Sequence, residues 1–278
     1  MNSTRHAAGT GLLLLLLAVA GLALPAFAQK AAAGHRQPGI LLESLSWDEA
    51  ERVLTPDRVV VIPLGAEAKE HGRHLQLNND WIEAEYLKRR VLAAAPVVVA
   101  PTINYSYFPA FLEYPGSTSL ESGTARDMVV EICRSLARYG PRRFYILNTG
   151  VSTLRPLSEA AAVLRAEKIT LAYFDWDETD AVEKQVEQQP YGSHADEIET
   201  SEMLYLAPAT VRMAKAVKDL SPDRPGPLTR NPHATTGVYS PSGAWGDPTL
   251  ATRAKGRILV EATVKIILSD IAKLQDVP

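Results

Sequence analysis

The chain has 278 residues, a net charge of −3 at pH 7 and 46% hydrophobic residues. This near-neutral balance, with no basic stretch interleaved with aromatics, argues against nucleic acid as a partner. Its one cysteine, Cys133, excludes an intrachain disulfide and falls in a helical pattern, where it reads as a small buried apolar residue.

Residues 1–28 read as an export signal. Arg5 and His6 form a short basic start, residues 12–17 an apolar centre, and Ala26-Phe27-Ala28 a small-residue cleavage site before Gln29. The apolar stretch from Gly9 to Ala28 is open to a second reading as an uncleaved anchor; Pro25 and the Ala-x-Ala ending favour cleavage. The expectation is an exported protein, periplasmic in a Gram-negative host, with no stable membrane insertion after cleavage. Residues 29–40 read as a flexible leader containing His35, and residues 41–278 as one α/β domain.

Elements then alternate. Ser46 and Glu49 form a capping box for a short helix ending near Leu54. Val59 to Leu64 is an apolar β-branched run suited to a buried strand, ended by Gly65. The loop that follows concentrates Glu67, Lys69, Glu70, His71, His74 and Asp80, with Asp80 at the expected N-cap of a helix over residues 81–94. Imidazoles and carboxylates at the C-terminal end of a strand suit a divalent metal; the bland alternative is a solvated polar loop.

Residues 96–100 read as a second strand, and residues 101–120, rich in Tyr, Phe and Pro, as an irregular wall of a site or interface. An amphipathic helix over residues 123–139 precedes a third strand at 143–147, a helix at 156–167 and a fourth strand at 169–174. An acidic, Gln-rich run follows as a solvated helix, then a helix over 199–217 and a Pro/Gly-rich loop over 221–248 in which His233 reads as a surface residue. The last helix, 251–274, is expected to bury Ile258, Leu259, Ala262, Ile266, Ile267 and Ile271. This order implies an α/β fold, a three-layer αβα sandwich with a mainly parallel central sheet.

Several of these segments resemble the creatininase (creatinine amidohydrolase) family. His71-Gly72-Arg73-His74-Leu75 followed by Asp80 is similar to its Gly-Ser-x-Glu-x-His-Gly-x-His-Leu-Pro loop and following Asp. Residues 114–120, Tyr-Pro-Gly-Ser-Thr-Ser-Leu, resemble its Phe-Pro-Gly-Thr-x-Ser-Leu segment, and His194-Ala195 with Glu199-Thr200-Ser201 its His-Ala…Glu-Thr-Ser motif. The chain departs from the pattern at three places. Lys69 stands where the family has a metal-binding Glu, Gly150 where it has a metal-binding His, and Ser152 where creatininase has an acidic residue.

The resemblance implies a metal-dependent hydrolase of a cyclic amide or related C–N bond in a small molecule, working as a homo-oligomer, typically a hexamer. It implies Glu70, His71 and Asp80 as ligands of a divalent metal, zinc first and manganese or iron as alternatives. Glu70, or with less support Glu67, would take the place left by Lys69, with Lys69 turned outward through a longer loop; the alternative is that Lys69 stays inward and stands in for one of two missing ions, and the adjacency of Glu70 and the longer loop favour the outward geometry. His194 would move a proton, with Glu199 beside it. An exported small-molecule binding protein that has lost hydrolysis is the competing reading, and a structural oligomer a third. Tyr105, Tyr107, Phe108 and Trp176 are candidates to wall the pocket.

Overall fold

The computed structural model describes residues 38–276. The export signal, its cleavage site and all of the leader up to residue 37, His35 included, lie outside the described residues. Five strands form a wholly parallel sheet in the order β1-β3-β2-β4-β5: β1 Ile40–Leu41, β2 Val59–Leu64, β3 Val98–Val99, β4 Arg143–Asn148 and β5 Thr170–Tyr173. Ile40, the last residue assigned to the leader, thus pairs with Val98 at the sheet edge.

The period-2 alternation of β2 decides which helices cover which face. Val60, Ile62 and Leu64 pack with Phe144 and Ile146 under α3 (Ser122–Ala137) and α4 (Leu154–Ala166). Val59 and Val61 pack with Tyr145 and Leu147 under α2 (Asn79–Ala94) and α7 (Arg253–Gln275). A central strand buried on both faces explains why β2 reads as a continuous apolar run rather than an alternating one. The helix after β2 covers one face and the helix after β4 the other. The crevice between the C-terminal ends of these two paired strands is therefore the topological switch point of the sheet, the place where such folds bind ligands.

Three boundaries differ from expectation for physical reasons. The helix expected over 199–217 is α6, Glu197–Leu206; Pro208 lacks the N–H needed to continue it, and two 3₁₀ turns follow. Asp80 lies within the first turn of α2 instead of at its N-cap, which is Asn78. Ile258, expected in the core, is 46% exposed, because Leu259 and Val260 turn the α7 stripe past it. The acidic run holds only the short α5, Asp180–Val186, and a two-stranded pair, β6 Leu228–Thr229 with β7 Val238–Tyr239, organises the Pro/Gly-rich loop. Among the described residues no helix is long and apolar enough to cross a membrane.

Helix α7 crosses α6 so closely that a Cβ on Gly256 would lie 1.8 Å from the carbonyl oxygen of Ser201. Backbone cannot yield there as a flexible side chain would. Gly256→Ala is expected to cost about 1–3 kcal/mol or more. At roughly 2–4 °C per kcal/mol for a domain of this size, calorimetry should show a clearly lowered melting temperature.

Candidate active site

The loop between β2 and α2 folds back over the switch-point crevice. Gly65 permits this, since a Cβ there would meet the carbonyl oxygen of Asp80 at 2.4 Å. Asp80 is consequently held under the loop, its carbonyl accepting from Thr149 Oγ1 at 3.2 Å. Its carboxylate meets two cationic or donor groups. Oδ1 lies 2.6 Å from His71 Nε2, and Oδ2 lies 2.9 Å from Lys69 Nζ, an ion pair by distance whose angle leaves Oδ2 without an aligned hydrogen bond.

Lys69 is only 4% exposed. The outward-facing lysine expected from the longer loop is therefore corrected: the ammonium points inward, 4.9 Å from the Phe111 ring centre and 5.7 Å from that of Phe108. Burial opposes its charge, but Asp80, Glu199 and Glu70 outweigh burial and hold its pKa above the ordinary lysine value. Burial likewise opposes ionisation of Asp80, and Lys69 and His71 overcome it, leaving the carboxyl well below its usual range.

Glu70, expected beside His71 and Asp80, turns the other way. Its Oε1 lies 2.9 Å from His194 Nε2, and its Oε2 accepts from Gly72 N at 2.8 Å. Gly243 closes over it, since a Cβ there would come within 2.3 Å of Oε2. The backbone N of Glu70 donates to Ser117 Oγ at 2.9 Å, and Thr118 N donates to Ala68 O at 2.8 Å, so residues 114–120 dock onto the loop.

His194 is held by a short antiparallel bridge to Trp245, with Trp245 N donating to His194 O at 2.7 Å. Its Nδ1 lies 3.6 Å from Glu199 Oε2, and Ala195 N donates to the same carboxylate oxygen. Ala195 adopts φ of +46°, a left-handed conformation that costs a non-glycine residue energy and is held here by these contacts. Burial alone would lower the His194 pKa; Glu70 and Glu199 reverse this and raise it. Glu199 is lowered, because His194, His71 and Lys69 outweigh its burial. His74, the second imidazole of the loop, pairs with Thr200 Oγ1 at 2.8 Å, and burial first of all lowers its pKa to about 4, so it is a neutral structural group near pH 7.

A cavity of about 430 Å³ opens beside these residues, lined among others by Lys69, Phe111, Gly150, Trp176, His194 and Glu199. Of the aromatics expected to wall it, Phe108 and Trp176 do so; Tyr105 is 47% exposed and lies elsewhere, and Tyr107 is not part of the lining. His233 is exposed, as expected. Sequence reasoning did not reach Glu83, Glu202 or Trp245, all of which line the cavity. The two carboxylates were findable: each stands three residues after a site carboxylate on the same helix.

An imidazole and carboxylates converge at the switch point of a parallel sheet, while the lone Cys133 is buried away from them with its thiol pushed up to about 12 by burial. Fold and site suit a hydrolase of the α/β class that works through acid–base groups rather than a thiol nucleophile. The family described as Creatininase: Creatinine amidohydrolase matches residues 43–271, and the chain belongs to this family. It is 28% identical to a creatinine amidohydrolase of Pseudomonas putida, over 84% of this chain and 96% of that protein. It is 29% identical to a mycofactocin precursor peptide peptidase of Mycobacterium tuberculosis, over 79% and 86%. A crystal structure of creatinine amidohydrolase superposes with a TM-score of 0.70 at 25% identity, covering 86% of this chain and 99% of that one.

Creatininases are metal-dependent amidohydrolases, and their solved structures include a Zn-Zn type variant and a manganese form, which support zinc or manganese as the divalent cofactor. The donors of this chain, as arranged, do not fit a two-metal centre. Both nitrogens of His71 already face oxygens, Nδ1 the Lys69 carbonyl at 3.0 Å and Nε2 Asp80; the Lys69 ammonium sits on Asp80; Glu70 is taken by His194. Gly150 and Ser152 offer no ligand of the family kind, and a Cβ on Gly150 would already meet Phe108 at 3.3 Å. Among the described residues no group of three or more His, Cys, Asp or Glu side chains is arranged to hold an ion.

A metal reaching Asp80 must first displace the ammonium. Repulsion between two unit charges about 4 Å apart is about 4 kcal/mol at an effective dielectric of 20, and a divalent ion doubles it. Lys69→Ala should therefore strengthen zinc or manganese binding at least tenfold, read by titration calorimetry with metal content as a check.

Proposed function

We propose that the cavity hydrolyses the C–N bond of a small amide, with Glu199 and His194 moving the protons and the Lys69 ammonium stabilising the oxyanion. The observation that carries this reading is His194 buried between Glu70 and Glu199 at the cavity wall. Glu199, ionised and 27% exposed at its side chain, takes a proton from water as the water attacks the amide carbon. The developing oxyanion faces the Lys69 ammonium, a fixed positive charge in a water-poor wall. His194, whose raised pKa favours the protonated ring, gives a proton to the leaving nitrogen, and the C–N bond breaks. Transfer of the proton from Glu199 back to Nδ1 of His194 resets the pair. Glu70 holds the ring in place throughout.

The chain's similarity to creatinine amidohydrolases supports small amides as substrates, creatinine among them. A panel of cyclic ureides, lactams and formamides, assayed with and without added zinc or manganese, identifies the substrate. On the substrate found, His194→Ala should lower kcat by roughly 10²–10⁴-fold; an unchanged kcat would remove His194 from the chemistry.

We also propose that the protein is exported and assembles as a homo-oligomer, a hexamer by its family resemblance. The Ala26-Phe27-Ala28 sequence supports cleavage, and the exposed Trp47, Tyr105, Leu112 and Tyr139 support subunit contacts. Protein recovered from the periplasmic fraction should begin at Gln29 and sediment as a hexamer; an intact Met1 in membranes would refute cleavage after Ala28 and favour the anchor.

A further inference from the structure

Helices α2 and α6 pack against each other and each carries two carboxylates one turn apart: Asp80 and Glu83 on α2, Glu199 and Glu202 on α6. One residue of each pair is neutralised. Asp80 has Lys69 and His71, and Glu199 has His194. The other two have nothing: Glu83, 6% exposed, and Glu202, 4% exposed, have no hydrogen-bond or ion-pair partner among the described residues, and both line the cavity.

A carboxylate so little exposed, facing the cavity with no donor aimed at it, is costly to keep ionised. The groups around the pair do not relieve it. Glu183 of α5 lines the same wall and accepts from Thr179 Oγ1 at 2.6 Å; Asp196 is buried at the N-cap of α6, accepting from Ile198 N at 2.9 Å and from Gln189. Lys69 is committed to Asp80, and Arg224 belongs to an exposed stretch of loop. The wall also includes Trp176, half-buried, whose buried indole Nε1 has no acceptor.

We propose that Glu83 and Glu202 form a subsite for a cationic alkylammonium group carried by the substrate. This deepens the amidohydrolase reading and rests on it: the substrate would be a small amide with a protonated amine, its ammonium held by the two carboxylates while the C–N bond lies against His194 and Glu199. The absence of any three-ligand cluster among the described residues favours an organic cation, which brings its own N–H donors, over a bare metal ion. With no cation present, burial first, then Asp80 and Glu199, push Glu83 up to about 8, and burial, then Glu83 and Glu183, raise Glu202 well above the carboxylate range. The pair thus retains protons near neutral pH, and an arriving ammonium should release proton to the buffer.

The test is calorimetry of the full protein with n-butylamine and its uncharged counterpart n-butanol, in two buffers of different ionisation enthalpy. The expected result is that butylamine binds at least tenfold tighter than butanol and releases proton, and that Glu83→Gln with Glu202→Gln abolishes this preference. Glutamine mimics the protonated carboxyl, so these variants should keep the wild-type melting temperature; the wild-type comparison of amine with alcohol stands even if they do not. Equal binding of the two probes, or a preference that survives the double variant, overturns the proposal. So does displacement of butylamine by magnesium, which would make the pair a metal site. No turnover is needed for this readout. Amine binding without hydrolysis of any amide would leave the subsite and remove the amidohydrolase reading, whereas hydrolysis of neutral amides without amine binding would do the reverse.

Discussion

The Lys69–Asp80 ion pair is the constraint on which the site depends. Two opposite charges are buried together at the C-terminal end of β2, with His71 on the other carboxylate oxygen. Neither charge would be tolerated there alone, since an unpaired buried ion costs several kcal/mol. Their pairing sets the direction of everything nearby. With Asp80 occupied, Glu70 is released to hold His194, and with Lys69 inside, the Phe108 and Phe111 rings close over it. A family fold whose solved relatives include zinc and manganese forms is here organised, at this crevice, around an ammonium ion.

The layers of the fold were legible because their signals are periodic. The unbroken apolar run of β2, the amphipathic stripes of α3 and α4, and strand–helix alternation lead directly to a parallel sheet covered on both faces. Strand β1 was not legible, since two residues carry no period, and α6 was drawn too long although Pro208 marks where it must end. In the site, His71 and Asp80 come together as the motif spacing suggests, and His194 and Glu199 do so at the other wall. The outward orientation of Lys69 was preferred over the inward one because repulsion from a metal was given the greater weight. Its attraction to Asp80, which also answers the cost of burying that carboxylate, points it inward. Glu70, with Asp80 held by the lysine, turns to His194. The distance from Glu70 to His194 in sequence, 124 residues, gave no local cue to their contact.

The cavity is electrostatically divided. Around Lys69, His71 and His194 the carboxylates are matched by cations, while a helical turn further along, at Glu83 and Glu202, they are not. Catalytic groups gain from the first condition, because preorganised charges need no rearrangement during reaction. The second is the condition of a recognition surface waiting for a complement. One pair of packed helices supplies both.

The antiparallel bridge between His194 and Trp245, together with the closure of Gly243 over Glu70, bears on the order in which the molecule assembles. Beyond the pairing of β2 with β4 and the packing of α7 against them, the site further needs residues near 70, 194 and 243 to meet. Such distant closures are entropically late events in folding. The catalytic wall should therefore be among the last regions to become ordered and the first to open when the protein is stressed, so that activity would fade before the sheet unfolds.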